Sequence, residues 1–189
     1  MARIAVVYFS HTGVTEQLAK AVISGINDSE KVSVLEYKIV GKDIIEGRFV
    51  NLALFESLQR CDAIIMGSPT YMGNVSAQFK TFADATSELW SEQKWADKIA
   101  AGFTSGSALN GDQSTTLQYL ITLACQHGMY WVGLDAAHGY KDHGVNRLGC
   151  QLGVVAQTTD SIANEVDIAS ARFLGARVAK LVIRLSRDV

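Results

Sequence analysis

The strongest constraint on the fold is a regular alternation of short apolar runs with segments of helical periodicity. Ile4 to Phe9 is continuous and β-branched, and it ends in Ser10-His11-Thr12-Gly13; Val14, Leu18, Ala21, Val22, Gly25 and Ile26 then recur at helical spacing. Lys31–Lys38 reads as a second strand, Asn51–Arg60 as a helix and Asp62–Gly67 as a third strand. Phe79, Phe82, Ala83, Thr86 and Trp90 mark one face of a third helix, and Lys98–Thr104 reads as strand four. Leu117, Leu120, Ile121, Ala124 and Cys125 form a fourth helical face before strand five at Met129–Val132. After polar Ser161–Asn164, Ala171, Leu174, Val178, Leu181, Val182 and Leu185 line a final helix.

Strands that are apolar throughout and separated by helices imply a parallel sheet covered on both faces. The predicted fold class is α/β: a doubly wound five-stranded sheet of order 2-1-3-4-5, flavodoxin-like in arrangement, forming a single domain over residues 1–189. In such a sheet ligands bind beyond the strand C-termini. The loops after strands one, three and four are therefore where chemistry is expected.

Composition removes several classes. Seventeen basic and nineteen acidic residues give a formal charge of −2 with no basic stripe, which argues against nucleic acid. No apolar run reaches the roughly 18 residues of a membrane span. MARIAVVYFS reads as a first strand rather than a signal segment, so a cytoplasmic location is expected. Cys61, Cys125 and Cys150 are odd in number and far apart, which argues against a disulfide framework, a zinc site or a dithiol motif. They are expected to be buried reduced thiols. His138, Asp142 and His143 offer too few ligands for a metal.

Ser10, His11, Thr12, Gly13, Val14 and Thr15 form the first loop. Hydroxyls, a glycine and free backbone N–H groups at a helix N-terminus suit a phosphate, although a simple helix cap uses the same residue types. Neither G-x-x-x-x-G-K nor G-x-G-x-x-G is present, no Cys opens the loop and no acidic residue ends strand one. Those absences argue against a P-loop nucleotidase, a dinucleotide fold, a thiolate phosphatase and a phospho-acceptor domain. In the second loop, Pro69 stiffens the strand exit, Thr70 follows, and Tyr71, Met72, Gly73 and Asn74 offer planar and polarizable surface for an aromatic ring. The third loop, with Ser105, Gly106, Ser107, Ala108, Leu109 and Asn110, is small and almost uncharged. It can present backbone groups to a flat heterocycle, or be a flexible surface loop.

Ser-x-Thr-Gly-x-Thr after strand one matches the flavodoxin phosphate loop. Together with Gly67-Ser-Pro-Thr-Tyr-Met-Gly-Asn, Phe103–Gln113 and His127-Gly128-Met129, it makes the chain resemble the WrbA-type NAD(P)H:quinone oxidoreductases, FMN proteins of the flavodoxin superfamily. The resemblance implies that Ser10–Thr15 hold the FMN phosphate, and that Thr70–Met72 and Ser105–Asn110 line the isoalloxazine. It also implies that His127 lies at the ring edge and that Trp90 walls a quinone and nicotinamide site. Read without it, His127 is a structural histidine, and Trp90, at a core-like helical position, is as readily a packing residue as a substrate contact. It further implies two-electron transfer from NADH or NADPH to a quinone-like acceptor in a homodimer or homotetramer. A non-enzymatic flavodoxin-type electron carrier is the alternative, disfavoured by a charge of only −2, because carriers steer to protein partners through strong acidity. A scaffold that has lost the flavin is disfavoured by the intact loops. Thr12, the short Ile39–Arg60 segment and Tyr140–Ser161 depart from the WrbA group.

Overall fold

The computed structural model describes residues 1–137 and 144–186. The reading of His138, Asp142 and His143 falls outside them. Among the described residues no group of three His, Cys, Asp or Glu is placed to hold a metal, and no helix is long and apolar enough to cross a membrane.

Strands β1 (Ala2–Tyr8), β2 (Val32–Lys38), β5 (Ala63–Tyr71) and β7 (Ile99–Gly106) form a parallel sheet in the order β2-β1-β5-β7. The position beyond β7 is shared by β8 (Tyr130–Trp131), paired with Ile99–Ala100, and β9 (Val154–Gln157), paired with Phe103–Gly106. Numbered as the sequence presents its five strands, this is the expected 2-1-3-4-5 order. Small additions are a β3–β4 hairpin (Ile44–Ile45, Arg48–Phe49) and β6 (Asn74–Val75), which folds back on β5.

The apolar runs follow from burial on both faces. Along β1, Ile4, Val6 and Tyr8 face the layer of α1 (Val14–Asn27) and α6 (Glu165–Leu185). Ala5 and Val7 face the opposite layer of α2 (Leu52–Gln59), α3 (Ala77–Ala85) and α5 (Gln113–Gln126). This is the two-residue alternation of a strand, with both sides apolar. Helices α1 and α6 touch backbone to backbone: a Cβ on Gly25 would lie 1.9 Å from the Arg172 carbonyl oxygen, and one on Gly175 would lie 2.0 Å from that of Val22. Only glycine fits this crossing.

Three sequence expectations need correction. The third helix breaks at Thr86, which ends α3 and precedes α4 (Ser87–Ser91), its hydroxyl donating to the Ala83 carbonyl at 2.7 Å. Cys61 and Cys150 are buried free thiols, but Cys125 is exposed on α5, one position off its apolar stripe. The third strand continues past Gly67 through Pro69 to Tyr71, because Ser105 lies alongside and extends the pairing. The end of β9 is clamped to α6: Arg147, which precedes β9, makes a two-pronged ion pair with buried Asp167, at 2.8 and 2.7 Å, and also donates to the Gln157 carbonyl.

Candidate functional site

All the parallel strands end on one edge, and α1 begins there. Gly13 precedes α1 in a left-handed conformation, φ 95°, and offers no side-chain cap. Ser10 Oγ accepts from the Glu16 N–H at 3.2 Å, and the first helical bond runs from Gln17 N–H to the Gly13 carbonyl. The N–H groups of Val14 and Thr15, earlier in the turn, have no helical partner by geometry, so they are available to an anion, which the helix dipole also favours. The one carboxylate of this turn, Glu16, is held by Lys38 at 2.6 Å and Lys20 at 3.5 Å, and the Lys38 contact keeps it ionised below the usual carboxylate range.

Neighbouring loops close on this turn. Buried Thr15 shares a 2.9 Å hydroxyl bond with Ser105 at the end of β7, tying the first loop to the third. Thr70 joins Thr104 and Thr116, each at 2.8 Å, tying the second to the third. Ser68 Oγ accepts from the Ser76 N–H at 2.9 Å and donates to the Pro69 carbonyl, fixing the strand exit beside a residue with no N–H of its own. Met72 and Gly73, at φ 50° and 74°, form a two-residue hairpin turn between Tyr71 and Asn74. Tyr71 is half-exposed and Met72 projects fully into solvent. An apolar side chain held exposed in left-handed backbone is unusual. His11, Thr12, Ser107, Ala108 and Leu109 are exposed, while Val14 is buried.

The resulting crevice, about 280 Å³, is lined by Thr12 and Val14, by Pro69, Thr70 and Tyr71, and by Ser105, Gly106 and Ser107. Its remaining wall was not foreseen: Thr158, Thr159 and Ser161, just after β9. Gln17 anchors that wall, donating to the Ser161 carbonyl at 2.9 Å and accepting from the Ala163 N–H at 3.1 Å. A β-branched pair followed by hydroxyl residues, Val154-Val155 then Thr158-Thr159, repeats the pattern of the first strand and loop and was the available signal. Among the described residues no charged side chain lines the crevice.

His127 and Trp90 lie elsewhere. His127 closes α5, which returns from the crevice edge to the edge where β7 starts; the neighbouring Gly128 carbonyl accepts from the Asp97 N–H. At about 3.3 Å per residue, the eight residues of β7 put roughly 25 Å between the two edges. The His127 ring is buried against Trp95, ring centroids 4.5 Å apart, and Nε2 lies 2.8 Å from Thr86 Oγ1. That hydroxyl already donates to Ala83, so Nε2–H is the donor and Nδ1 is left as a buried acceptor without a partner among the described residues. Trp90, half-exposed, borders a separate cavity with Tyr119 and His127. The ring-edge position expected for His127 is therefore not met within its own chain, because a crossover helix carries its last residue to the far edge of the sheet.

Comparison with known proteins agrees with the fold. The model for NADPH-dependent FMN reductase matches residues 3–140. The chain belongs to this family. Among curated relatives of this FMN reductase family member, Flavodoxin FldP of Pseudomonas aeruginosa is 35% identical over 96% of this chain and 97% of its own. An NAD(P)H dehydrogenase (quinone) of Archaeoglobus fulgidus is also 35% identical, over 98% of this chain and 100% of its own. The solved structure of a WrbA-like flavodoxin from Agrobacterium tumefaciens superposes with a TM-score of 0.76 at 37% identity, covering 97% of this chain and 99% of that one. The chain is thus a flavodoxin-like, WrbA-type protein. The Thr158–Ser161 wall lies beyond the segment matched by the family model.

Burial lowers the His127 pKa to about 4, from about 6.5 for a free imidazole. Below pH 6.5 the unfolded chain takes up a proton that the folded one refuses until pH 4, so stability is full above 6.5 and falls as pH drops through this window. His127→Gln should flatten that part of the pH–stability curve, read as urea midpoints at pH 7, 6 and 5. A variant curve as steep as wild type assigns the acid sensitivity to other groups.

Proposed function

We propose that the chain is a single FMN-binding domain, residues 1–189, that transfers two electrons from NADH or NADPH to a quinone or similar small acceptor. The observation that carries this reading is the N-terminus of α1, where Gly13 supplies no side-chain cap, opening into a crevice lined by neutral donors. A phosphate monoester with a neutral polar tail suits that donor set. A nucleotide triphosphate, needing a lysine or metal to offset its charge, does not. FMN, when bound, supplies redox chemistry that no side chain here offers.

In this reading Ser10 to Thr15 hold the phosphate, with Thr12 free to donate from the surface and Thr15 oriented by Ser105. Pro69, Thr70 and Tyr71, the exposed Met72 with Gly73 and Asn74, and Ser105 to Asn110 border the ring. The half-exposed Tyr71 and the projecting Met72 leave an open apolar surface on which nicotinamide and acceptor stack in turn. Free, unbridged thiols fit a cytoplasmic setting. Trp90 and His127 sit at the opposite edge of their own chain, so any role beside a ring needs a second copy of it. Assembly as a homodimer or homotetramer belongs to the same reading, as do the quinone dehydrogenase relatives. Electron carriage between proteins is the second reading. A relative named as a flavodoxin supports it, and a net charge of −2 speaks against it.

Two measurements test the proposal. Replacing Thr12 and Thr15 with Val removes two donors to a charged group, at about 1.5–3 kcal/mol each. FMN affinity should fall by at least roughly a hundredfold, while riboflavin, which has no phosphate, should bind both proteins similarly. Equal losses for the two ligands make the loop a structural cap. Anaerobic mixing of the FMN-loaded protein with NADPH or NADH should bleach the flavin absorbance, benzoquinone should restore it, and steady-state kinetics should be ping-pong. Failure of both nicotinamides to bleach the flavin, with FMN tightly bound, favours the carrier.

A further inference from the structure

Gln113 opens α5 and is 2% exposed, although it follows a loop whose residues 107–109 are exposed. Its Nε2 donates to the carbonyl oxygens of Ala108 at 2.8 Å and Leu109 at 2.6 Å. Two acceptors at hydrogen-bond distance fix which end of the amide is nitrogen. The side chain is seated tightly: a Cβ on Gly106 would come within 3.1 Å of the Gln113 Cδ. One buried amide therefore grips two consecutive carbonyls of the third loop from beneath.

The planar trans peptide makes that grip directional. Within each peptide unit the N–H points opposite to the C=O. Turning the Ala108 and Leu109 carbonyls inward onto Gln113 turns the N–H groups of Leu109 and Asn110 outward. Neither donor has a partner among the described residues. Adjacent outward donors on an uncharged loop complement a planar ligand edge that carries carbonyl oxygens and unprotonated ring nitrogens.

We infer that Gln113 is a positioning residue, which sets the Leu109 and Asn110 N–H groups to bind the carbonyl-bearing edge of the flavin ring. This rests on the FMN reading above and adds how the ring, as distinct from the phosphate, is held. Gln113 itself touches no ligand. Its contribution is to remove the loop's freedom to turn these peptides over, so their donors meet the ring without an ordering cost.

The test uses Gln113→Met, which keeps the volume and removes the grip, and Gln113→Glu, whose carboxylate repels the same carbonyls. Dissociation constants for FMN and for riboflavin should rise by the same factor, at least about fivefold for two neutral hydrogen bonds. The two ligands share the ring and differ in the phosphate. The flavin midpoint potential should become more negative, because N–H donors stabilise the electron-rich reduced ring more than the oxidised one. In wild-type protein, riboflavin alone should shift the amide resonances of Leu109 and Asn110, a readout that does not depend on how the variants fold. Unmoved resonances overturn the proposal, as do wild-type affinities and potential in well-folded Gln113→Met, or a loss confined to FMN. Should wild-type protein bind neither flavin, the FMN reading fails first and this inference with it. If wild type binds FMN tightly but the resonances stay still, the FMN reading stands and this inference alone falls.

Discussion

The parallel pairing of β1, β5 and β7 is the constraint on which the rest depends. Because the strands run the same way, Ser10, Pro69 and Ser105 all arrive at one edge of the sheet, although long stretches of chain separate them. Hydroxyl bonds then lock these arrivals together: Thr15 to Ser105, and Thr70 to Thr104 and Thr116. An antiparallel sheet would have sent alternate loops to opposite edges and left no crevice. The same pairing forces each helix to return across a face, and burial of both faces is why the strands carry so few polar residues.

The polarity of the crevice follows from what this edge presents. Strand ends and helix starts expose backbone donors, and the side chains nearby are hydroxyls and amides rather than charges. Such a surface distinguishes ligands by hydrogen-bond pattern and shape, and a neutral wall adds little long-range attraction for charged macromolecules. Two glutamines take matching structural parts beneath it. Gln17 ties the Thr158–Ser161 wall to α1, and Gln113 holds the third loop. Both use the amide's ability to satisfy backbone groups without bringing charge into the site.

Much of this architecture could be read from the sequence, because period-two and period-3.6 patterns report burial directly. The strand order, the first-loop helix start and three walls of the crevice came from such patterns. What escaped were features decided by distant partners. Val154–Gln157 is too short to signal a strand by itself and becomes one because β7 lacks a neighbour beyond Ala100. The break at Thr86 depends on its hydroxyl choosing Ala83 and His127 over the continuing helix. His127 is the instructive case. Family likeness placed it beside the ring, whereas the crossover topology already implied that a residue closing α5 lies at the other edge. The interaction of Gln113 with two carbonyls had no sequence signal at all, since a glutamine at a helix start is ordinary.

The Gln17 contacts with Ser161 and Ala163 also bear on how the molecule is made. They join positions 144 and 146 residues apart, and α1 lies against α6 through glycines near opposite ends of the sequence. During synthesis the first loop leaves the ribosome well before the elements that brace it, which follow more than 140 residues later. A nascent chain with β1, α1 and β5 already emerged holds an unsupported turn and an α1 face that exposes Leu18 and Val22 until α6 appears. Contacts so remote in sequence slow folding, because the chain must close its longest loop before they form. Ligand binding can thus reward only the finished fold, and premature termination before α6 would release a chain with sticky, half-covered sheet surfaces.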